Sequence, residues 1–428
     1  MAQASFCQGR PRTREATMSR PGGGAAHQHL ACNNPYTLGQ VLARVQEDAE
    51  VASLTLSNSS IDTQGAVEIA AVLSNNATLT ALNIQNNAIG DRGAEEISAA
   101  LLVNTKLAYL NLGCAQVSSW GAQHLASALE TNAAVTILDL GRNDITDVGA
   151  QALGLALARN TTLESLQLSD NNFGSEGAEH IAAALVRNCT LSSLTLSGNN
   201  IGDIGATHIA AYLGKNQSLR ALGLSCCEIC SEGATSIAGL LALNNTLTKL
   251  ELSGNSIDEE GVVHIANALV TNEVLTYLDL SCNDIRAQGA LKLADVLETH
   301  NFTLTTLDLE GNSIVGPGAD RITALCKKNE IGSRVLTVRC SSRTTEHLWL
   351  VCTDISGQQV AAIEADPRSS LTALTRELAL CLQFDGRLHL VRPDGNILRD
   401  PSESRRLGSY FSIAANTDLK SNTVSVEK

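Results

Sequence analysis

Apolar side chains recur along this chain at positions 1, 4, 6, 11, 19 and 23 of a frame 28 residues long, with Asn at 9, Gly at 15 and Asn at 26. The stretch opened by Leu79 displays it most plainly: Leu82, Ile84, Asn87, Ile89, Gly93, Ala94, Ile97, Leu101 and Asn104. The first position is filled in turn by Val51, Leu79, Leu107, Val135, Leu163, Leu191, Leu219, Leu247 and Leu275, then by Leu304 after one inserted residue near Phe302. The alternation at positions 4 to 6 predicts a short strand with its apolar side chains on one face. The apolar slots 16, 19, 20 and 23 have helical spacing and predict a helix opened by the Gly at 15. The side-chain amide of Asn at 9 is suited to satisfy backbone groups of the turn between them. Asn at 26 is expected to end the helix in the left-handed conformation. No unit can bury its apolar face alone, so the ten must stack around one continuous core.

The rest of the chain divides around this array. Residues 1–35 lack periodicity and read as a disordered arm. Residues 36–50 read as a helical N-terminal cap, with Thr37 as N-cap and Leu38, Val41, Leu42 and Val45 on one face. The ten repeats fill 51–330, and 331–345 is expected to supply a last strand that caps the stack, through Val335, Leu336 and Val338. In 346–413 the pattern predicts strands at 348–353 and 360–364, a helix capped by Ser370, and a hairpin of 388–391 with 397–398. An irregular cap is the other reading of that segment, and 414–428 reads as a flexible tail.

A fixed period carrying L-x-x-L-x-L-x-x-N/C-x-L is similar to the leucine-rich repeat signature. The 28-residue length with Gly-Ala near the start of each helix resembles the ribonuclease-inhibitor-like class. That class includes repeats of NOD-like receptors, of ribonuclease inhibitor and of the Ran GTPase-activating protein. The resemblance implies an α/β solenoid, a horseshoe with parallel strands on its concave face and helices on its convex face. The ββαββ order of the C-terminal segment, with Gly357, Asp366-Pro367 and Pro393-Asp394-Gly395, resembles a ubiquitin-like β-grasp, a small α+β domain. The final residues Ser425-Val426-Glu427-Lys428 lack a Gly-Gly, so conjugation is not implied. No GxxxxGK[ST] of the receptor type occurs, and the acidic tail usual in the Ran activator is replaced by the β-grasp-like segment; no catalytic residue is carried over.

Composition narrows the function. Formal net charge is −14. Between Val51 and Asn329 there are 28 acidic against 13 basic side chains, a net of −15, so the array carries all of the excess. Nucleic acid and anionic membrane need basic surface, so neither is expected as a partner. No apolar run is long enough to span a bilayer, and no secretion leader is apparent, so a cytoplasmic location is expected. Twelve Cys then read as free thiols in a reducing compartment. Cys227-Glu228-Ile229-Cys230 is a CxxC with no second ligand pair, and Cys227 occupies the Asn slot of its unit. The sequons at Asn76, Asn160 and Asn188 follow from the repeat and read as unglycosylated. His124, His180, His208 and His264 share the solvated position 18, and no metal or cofactor is expected there. HExxH and GxSxG are absent, and no catalytic set is read.

What remains is the solvent side of the strands. Position 5 runs Thr55, Asn83, Asn111, Asp139, Gln167, Thr195, Gly223, Glu251, Asp279, Asp308. Strands about 4.8 Å apart bring Glu251, Asp279 and Asp308 into one column, which Glu310 extends; like charges face each other unfavourably there. Position 3 adds Tyr109 beside Ile137, and Tyr277 beside the acidic column. Tyr flanked by carboxylates suits an interface that receives Arg or Lys. Arg142, Arg220 and Lys249 are the basic residues expected on this face. The chain therefore reads as a monomeric, non-enzymatic scaffold or adaptor for a basic protein partner. The alternative implied by the resemblance is a regulator or activator of a small GTPase in signalling.

Overall fold

A computed structural model describes residues 28–31, 37–301, 303–314, 334–343, 348–353, 359–365, 374 and 388–391. The described residues form two sheets. The first has eleven strands in strict chain order, all parallel, from β1 (Gln28–Ala31) and β2 (Val51–Thr55) to β11 (Thr306–Asp308). The strands between are β3 (Ala81–Asn83), β4 (Tyr109–Asn111), β5 (Ile137–Asp139), β6 (Ser165–Gln167), β7 (Ser193–Thr195), β8 (Ala221–Gly223), β9 (Lys249–Glu251) and β10 (Tyr277–Asp279). A helix follows each strand from β2 to β10: α2 (Thr63–Asn75), α3 (Gly90–Leu101), α4 (Ser119–Leu129), α5 (Asp147–Leu157), α6 (Ser175–Ala184), α7 (Gly202–Leu213), α8 (Ser231–Leu243), α9 (Glu259–Leu269) and α10 (Arg286–Thr299). The helix of the tenth unit falls outside the described residues.

Before β2, α1 (Leu38–Glu47) carries a capping box: Gln40 N–H donates to Thr37 Oγ1 and Thr37 N–H donates to Gln40 Oε1. Its buried Val41, Leu42 and Val45 close the end of the core. Gln28–Ala31, read as part of a disordered arm, is a strand paired in parallel with β2.

The core is one continuous cluster from Val41 to Leu304. Position 4 is buried in β2 to β10 and partly buried at Leu307 in β11, while positions 3 and 5 beside it are half-exposed in most units, as in β3, β5 and β10. Helix slots 16, 19 and 23 are buried, as with Ala150, Leu153 and Leu157 in α5. Gly at 15 sits in the first turn, where its missing side chain allows close packing. A Cβ at Gly93 would stand 2.4 Å from Ile89 Cγ2 and 2.8 Å from Ala66 Cβ of the preceding helix.

Two ladders of buried amides tie the units together. At position 9, Asn199 Nδ2 donates to Leu168 O of the preceding unit and to Leu196 O of its own, while its Oδ1 accepts from Asn171 N–H. At position 26, Asn160 Nδ2 donates to Leu129 O and Asn132 O of the preceding unit, and its Oδ1 accepts from the N–H groups of Thr162 and Leu163. The left-handed ending expected at 26 is therefore wrong: Asn76 and Asn244 are extended, with φ −85° and −82°. Asn is selected there because it has two donors and an acceptor for backbone groups that no helix satisfies. Positive φ falls instead at position 8 in all ten units, from Asn58 to Gly311, and in some units at position 10 or 12, as at Gln116 and Arg286.

The second sheet holds β12 (Arg334–Arg343), β13 (Leu348–Thr353), β14 (Gln359–Ala365) and β15 (Leu388–Val391) in the order β14-β13-β12-β15. β12 pairs antiparallel with β13 and parallel with β15. The strand expected to cap the repeat stack thus belongs to the C-terminal sheet. A partner that follows after a short connection closes with less loop entropy than a distant one. The helix predicted from Ser370 and the strand predicted at 397–398 lie outside the described residues, apart from helical, buried Leu374.

Candidate partner-binding face

Register decides what the solvent side of the first sheet presents. Asp279 is paired with Glu251 on one side and with Asp308 on the other, so the three carboxylates share one row across β9, β10 and β11. Tyr277 stands between Lys249 and Thr306 in the neighbouring row. Asp139 lies four strands away beside Asn111 and Gln167. Tyr109 and Ile137 are cross-strand partners on β4 and β5. The predicted residues therefore form two separate groups.

The Asp residues have a second task. Oδ1 of Asp139, Asp279 and Asp308 accepts the N–H two residues on, from Gly141, Ser281 and Glu310 at 2.9 Å each. Asn83 and Asn111 do the same in their units. An Asx turn closes the strand wherever position 5 is Asp or Asn. Part of the column is thus local architecture, and one oxygen of each Asp is already committed. Glu251 is different: its Oε1 lies 2.8 Å from Lys249 Nζ, and the same ammonium sits 5.0 Å above the Tyr277 ring. The ammonium stands between a carboxylate and an aromatic face, a geometry that favours a cation. Sequence reading placed Lys249 on this face without seeing that it neutralises Glu251.

Burial raises the pKa of the Tyr277 phenol, and Asp279, Glu251 and Asp308 raise it further. Burial likewise raises the carboxyl of Asp139, against the lowering effects of the Gly141 N–H and the Arg142 guanidinium. Arg142 Nε itself lies 3.3 Å from Asp170 Oδ2, both side chains more than half exposed.

Between the two groups the face sinks into a depression of about 670 Å³ lined by Asp139, Arg142, Asp170, Lys249 and Glu251 around small residues. Its floor is shallow in side chains: Thr195, Ser197, Gly198, Ser225. Of the predicted residues Asp139, Glu251, Arg142 and Lys249 line it; Tyr109, Ile137, Tyr277, Asp279, Asp308 and Glu310 do not. Arg220 does not line it either, because frame position 2 precedes strand β8. The signal for the depression was in the sequence, in the run of Ser, Thr, Ala and Gly at positions 3, 5 and 7 of the middle units.

The four His of position 18 do not act together. His124 stacks edge-on against Trp120, with ring centroids 4.4 Å apart. His180 Nε2 lies 4.0 Å from Glu176 within α6. His208 Nδ1 lies 3.4 Å from Glu179 Oε2 but off the hydrogen-bonding direction, so that nitrogen is left without a partner. His264 lines a separate depression with Asp258 and Asp284. In the CxxC, Cys227 is buried in the amide ladder, where burial pushes its thiol up to about 12, and Cys230 is exposed at the start of α8.

A family model described as Leucine Rich repeat matches residues 75–98, 131–154, 159–182, 187–210, 215–238, 243–266, 271–294 and 300–322. No curated protein matches the sequence. Among solved structures, an internalin (inlF) from Listeria monocytogenes is 21% identical, over 67% of this chain and 91% of that one, with a TM-score of 0.39. The actin-binding site 2 of leiomodin-1 is 21% identical, over 36% of this chain and 88% of that one, with a TM-score of 0.31. TLR13, in its complex with ssRNA13, is 17% identical, over 66% of this chain and 35% of that one, with a TM-score of 0.39. Among the described residues, no helix is long and apolar enough to cross a membrane.

Proposed function

The chain is a leucine-rich repeat protein, and from that premise we propose that it is a non-enzymatic, monomeric scaffold that holds a basic protein partner on the solvent side of its strands. The observation that carries the reading is the in-register row Glu251, Asp279 and Asp308, with Tyr277 and Lys249 beside it. A row of like charge across adjacent strands is unfavourable for folding alone. Asx turns account for one oxygen of each Asp but are made equally well by Asn, as at Asn83 and Asn111. The full charges of Asp279 and Asp308 are therefore surplus to the turn, whereas Glu251 is already met by Lys249. An arriving Arg or Lys would relieve them, with Tyr277 as a flat apolar neighbour for its stem.

The test uses substitutions that keep the acceptors. Glu251→Gln, Asp279→Asn and Asp308→Asn together remove three charges and leave the Asx turns intact. Partners captured from extract by the wild type at low salt should be lost by this variant, and lost by the wild type as salt rises. Retention of the same partners by a variant that melts normally would move the binding surface elsewhere.

A further inference from the structure

At the opposite sign from the acidic row, one edge of the repeats collects cations. Frame position 25, at the C-terminal end of each helix, is Arg159, Arg187 and Lys215 in three successive units. Arg220 opens the next strand at the same edge, because a helix running antiparallel to its strands ends where the strands begin. Four of the 13 basic side chains of the array are thus gathered in one short stretch, against one acidic side chain, Glu164, in the slot that Arg220 fills two units later. Arg159 Nη1 meets Glu130 Oε2 at 2.6 Å. Among the described residues, Arg187, Lys215 and Arg220 form no salt bridge. Within the same four units two large apolar side chains are exposed at this edge, Val186 at 60% and Leu243 at 75%.

Helix electrostatics explains part of this, since cations near a helix C-terminus gain about 0.3–1 kcal/mol from the macrodipole. It does not explain the exposed Val186 and Leu243. Nor does it explain why flanking units place Thr131 and Thr271 in the same slot. We infer that this edge of the fourth to seventh repeats binds an acidic amphipathic helix of a partner protein, through Arg159, Arg187, Lys215 and Arg220 with Val186 and Leu243 between and beside them.

Spacing chooses that occupant. Packed helices lie about 10 Å apart, so successive position-25 cations follow the same interval. Carboxylates two turns apart on a helix, seven residues at 1.5 Å each, are separated by about 10.5 Å. Side chains three or four residues along face the same way and meet the apolar groups. A nucleic acid fits poorly: over about 20 Å a duplex presents on the order of a dozen phosphates against these four cations. An anionic membrane would be repelled by the acidic remainder of the molecule.

The probe is a synthetic helical peptide in an Ala/Gln background, with Glu at every seventh residue and Leu three residues after each Glu. Binding to the full chain is followed by fluorescence anisotropy. The wild type is expected to bind it, and to bind the Glu→Gln and Leu→Gln versions about tenfold more weakly. Arg159→Gln, Arg187→Gln and Lys215→Gln together should cost a similar factor, as should Val186→Ser with Leu243→Ser. The second pair lies on the surface and keeps the test decisive if the charge variant melts early. No binding to the peptide, or affinities within about twofold of wild type in both variants, overturns the inference. So does tighter binding of polyuridine or phosphatidylserine vesicles through the same residues, which would put a nucleic acid or a membrane on this edge.

Discussion

Cys227 is the weak rung of an otherwise strong ladder. Its thiol donates to Leu196 O at 3.5 Å and to Ser225 O at 3.4 Å, long contacts from a poor donor. An Asn in that slot would donate two amide protons and offer an acceptor, as Asn199 and Asn255 do on either side. Cys227→Asn should therefore raise stability by about 1 kcal/mol, read as a higher Tm. Asn199→Ala removes the same bonds from a fully buried site and should cost about 2–4 kcal/mol. Burial with the thiol held up to about 12 also leaves Cys227 unlabelled by a maleimide in the native chain, while exposed Cys189 reacts. Position 9 was legible as a turn amide because Asn, Asn and Asn recur there. Its bonds to the preceding unit were not, since a partner 31 residues back is invisible to local reading. The same blindness produced the misreading of position 26. Asp139 supplies a pH test. Its folded pKa is raised, so the unfolded chain loses this proton first, and stability falls as pH climbs from the ordinary carboxylate range through the folded value. Asp139→Asn keeps the acceptor for Gly141 N–H and should be more stable than wild type at pH 7. The advantage should vanish in acid, below both pKa values, where Asp139 is neutral in either state.

Helices in this array are capped by their neighbours as often as by themselves. Asp147, in the first turn of α5, accepts from Gly174 N–H and Gly177 N–H of the next unit at 2.8 Å each. Asp91 serves Ser118 and Gly121 in the same way, and Asp203 serves Cys230 and Gly233. A carboxylate there satisfies orphan N–H groups and faces the positive end of the helix dipole. Asp147→Ala should cost about 1–2 kcal/mol, and hydrogen exchange should rise first at the Gly174 to Gly177 amides of α6 rather than in α5. Equal acceleration in both helices would show that the bond is not what holds that turn. Apolar spacing, a property of one segment, made the type of each repeat strand and helix legible, but not that of Gln28–Ala31, which carries no period. It did not give pairing partners: Arg334–Arg343 was a strand in either reading, yet its hydrogen bonds lie with β13 and β15. The two groups on the solvent face were blurred for the same reason, since the frame fixes rows but not how ion pairs such as Lys249–Glu251 settle along them.

Across the whole molecule, charge is unevenly laid down. The array holds the net of −15, and its last units carry the row Glu251, Asp279 and Asp308, while the helix C-terminal edge of the middle units is basic. Self-repulsion among exposed carboxylates opposes the compact state and is screened by salt, with a Debye length of about 10 Å at 0.1 M and about 3 Å at 1 M. Few of the ion pairs that salt would weaken are strong: the cations of Arg142–Asp170, Arg159–Glu130 and Lys249–Glu251 are 68%, 69% and 43% exposed, and such pairs contribute about 0–1 kcal/mol. Repulsion therefore wins, and added sodium chloride should raise the Tm of the wild-type chain at neutral pH. The rise should be smaller in the Glu251→Gln, Asp279→Asn, Asp308→Asn variant, which lacks part of the repulsion from the start. Binding of a basic partner must respond in the opposite sense, weakening over the same salt range. Stability and affinity moving oppositely with salt is the behaviour expected of a surface that keeps unfavourable charge for a ligand. A Tm that falls with salt in wild type would mean instead that the carboxylates are already paired within the fold, leaving them nothing to offer a partner.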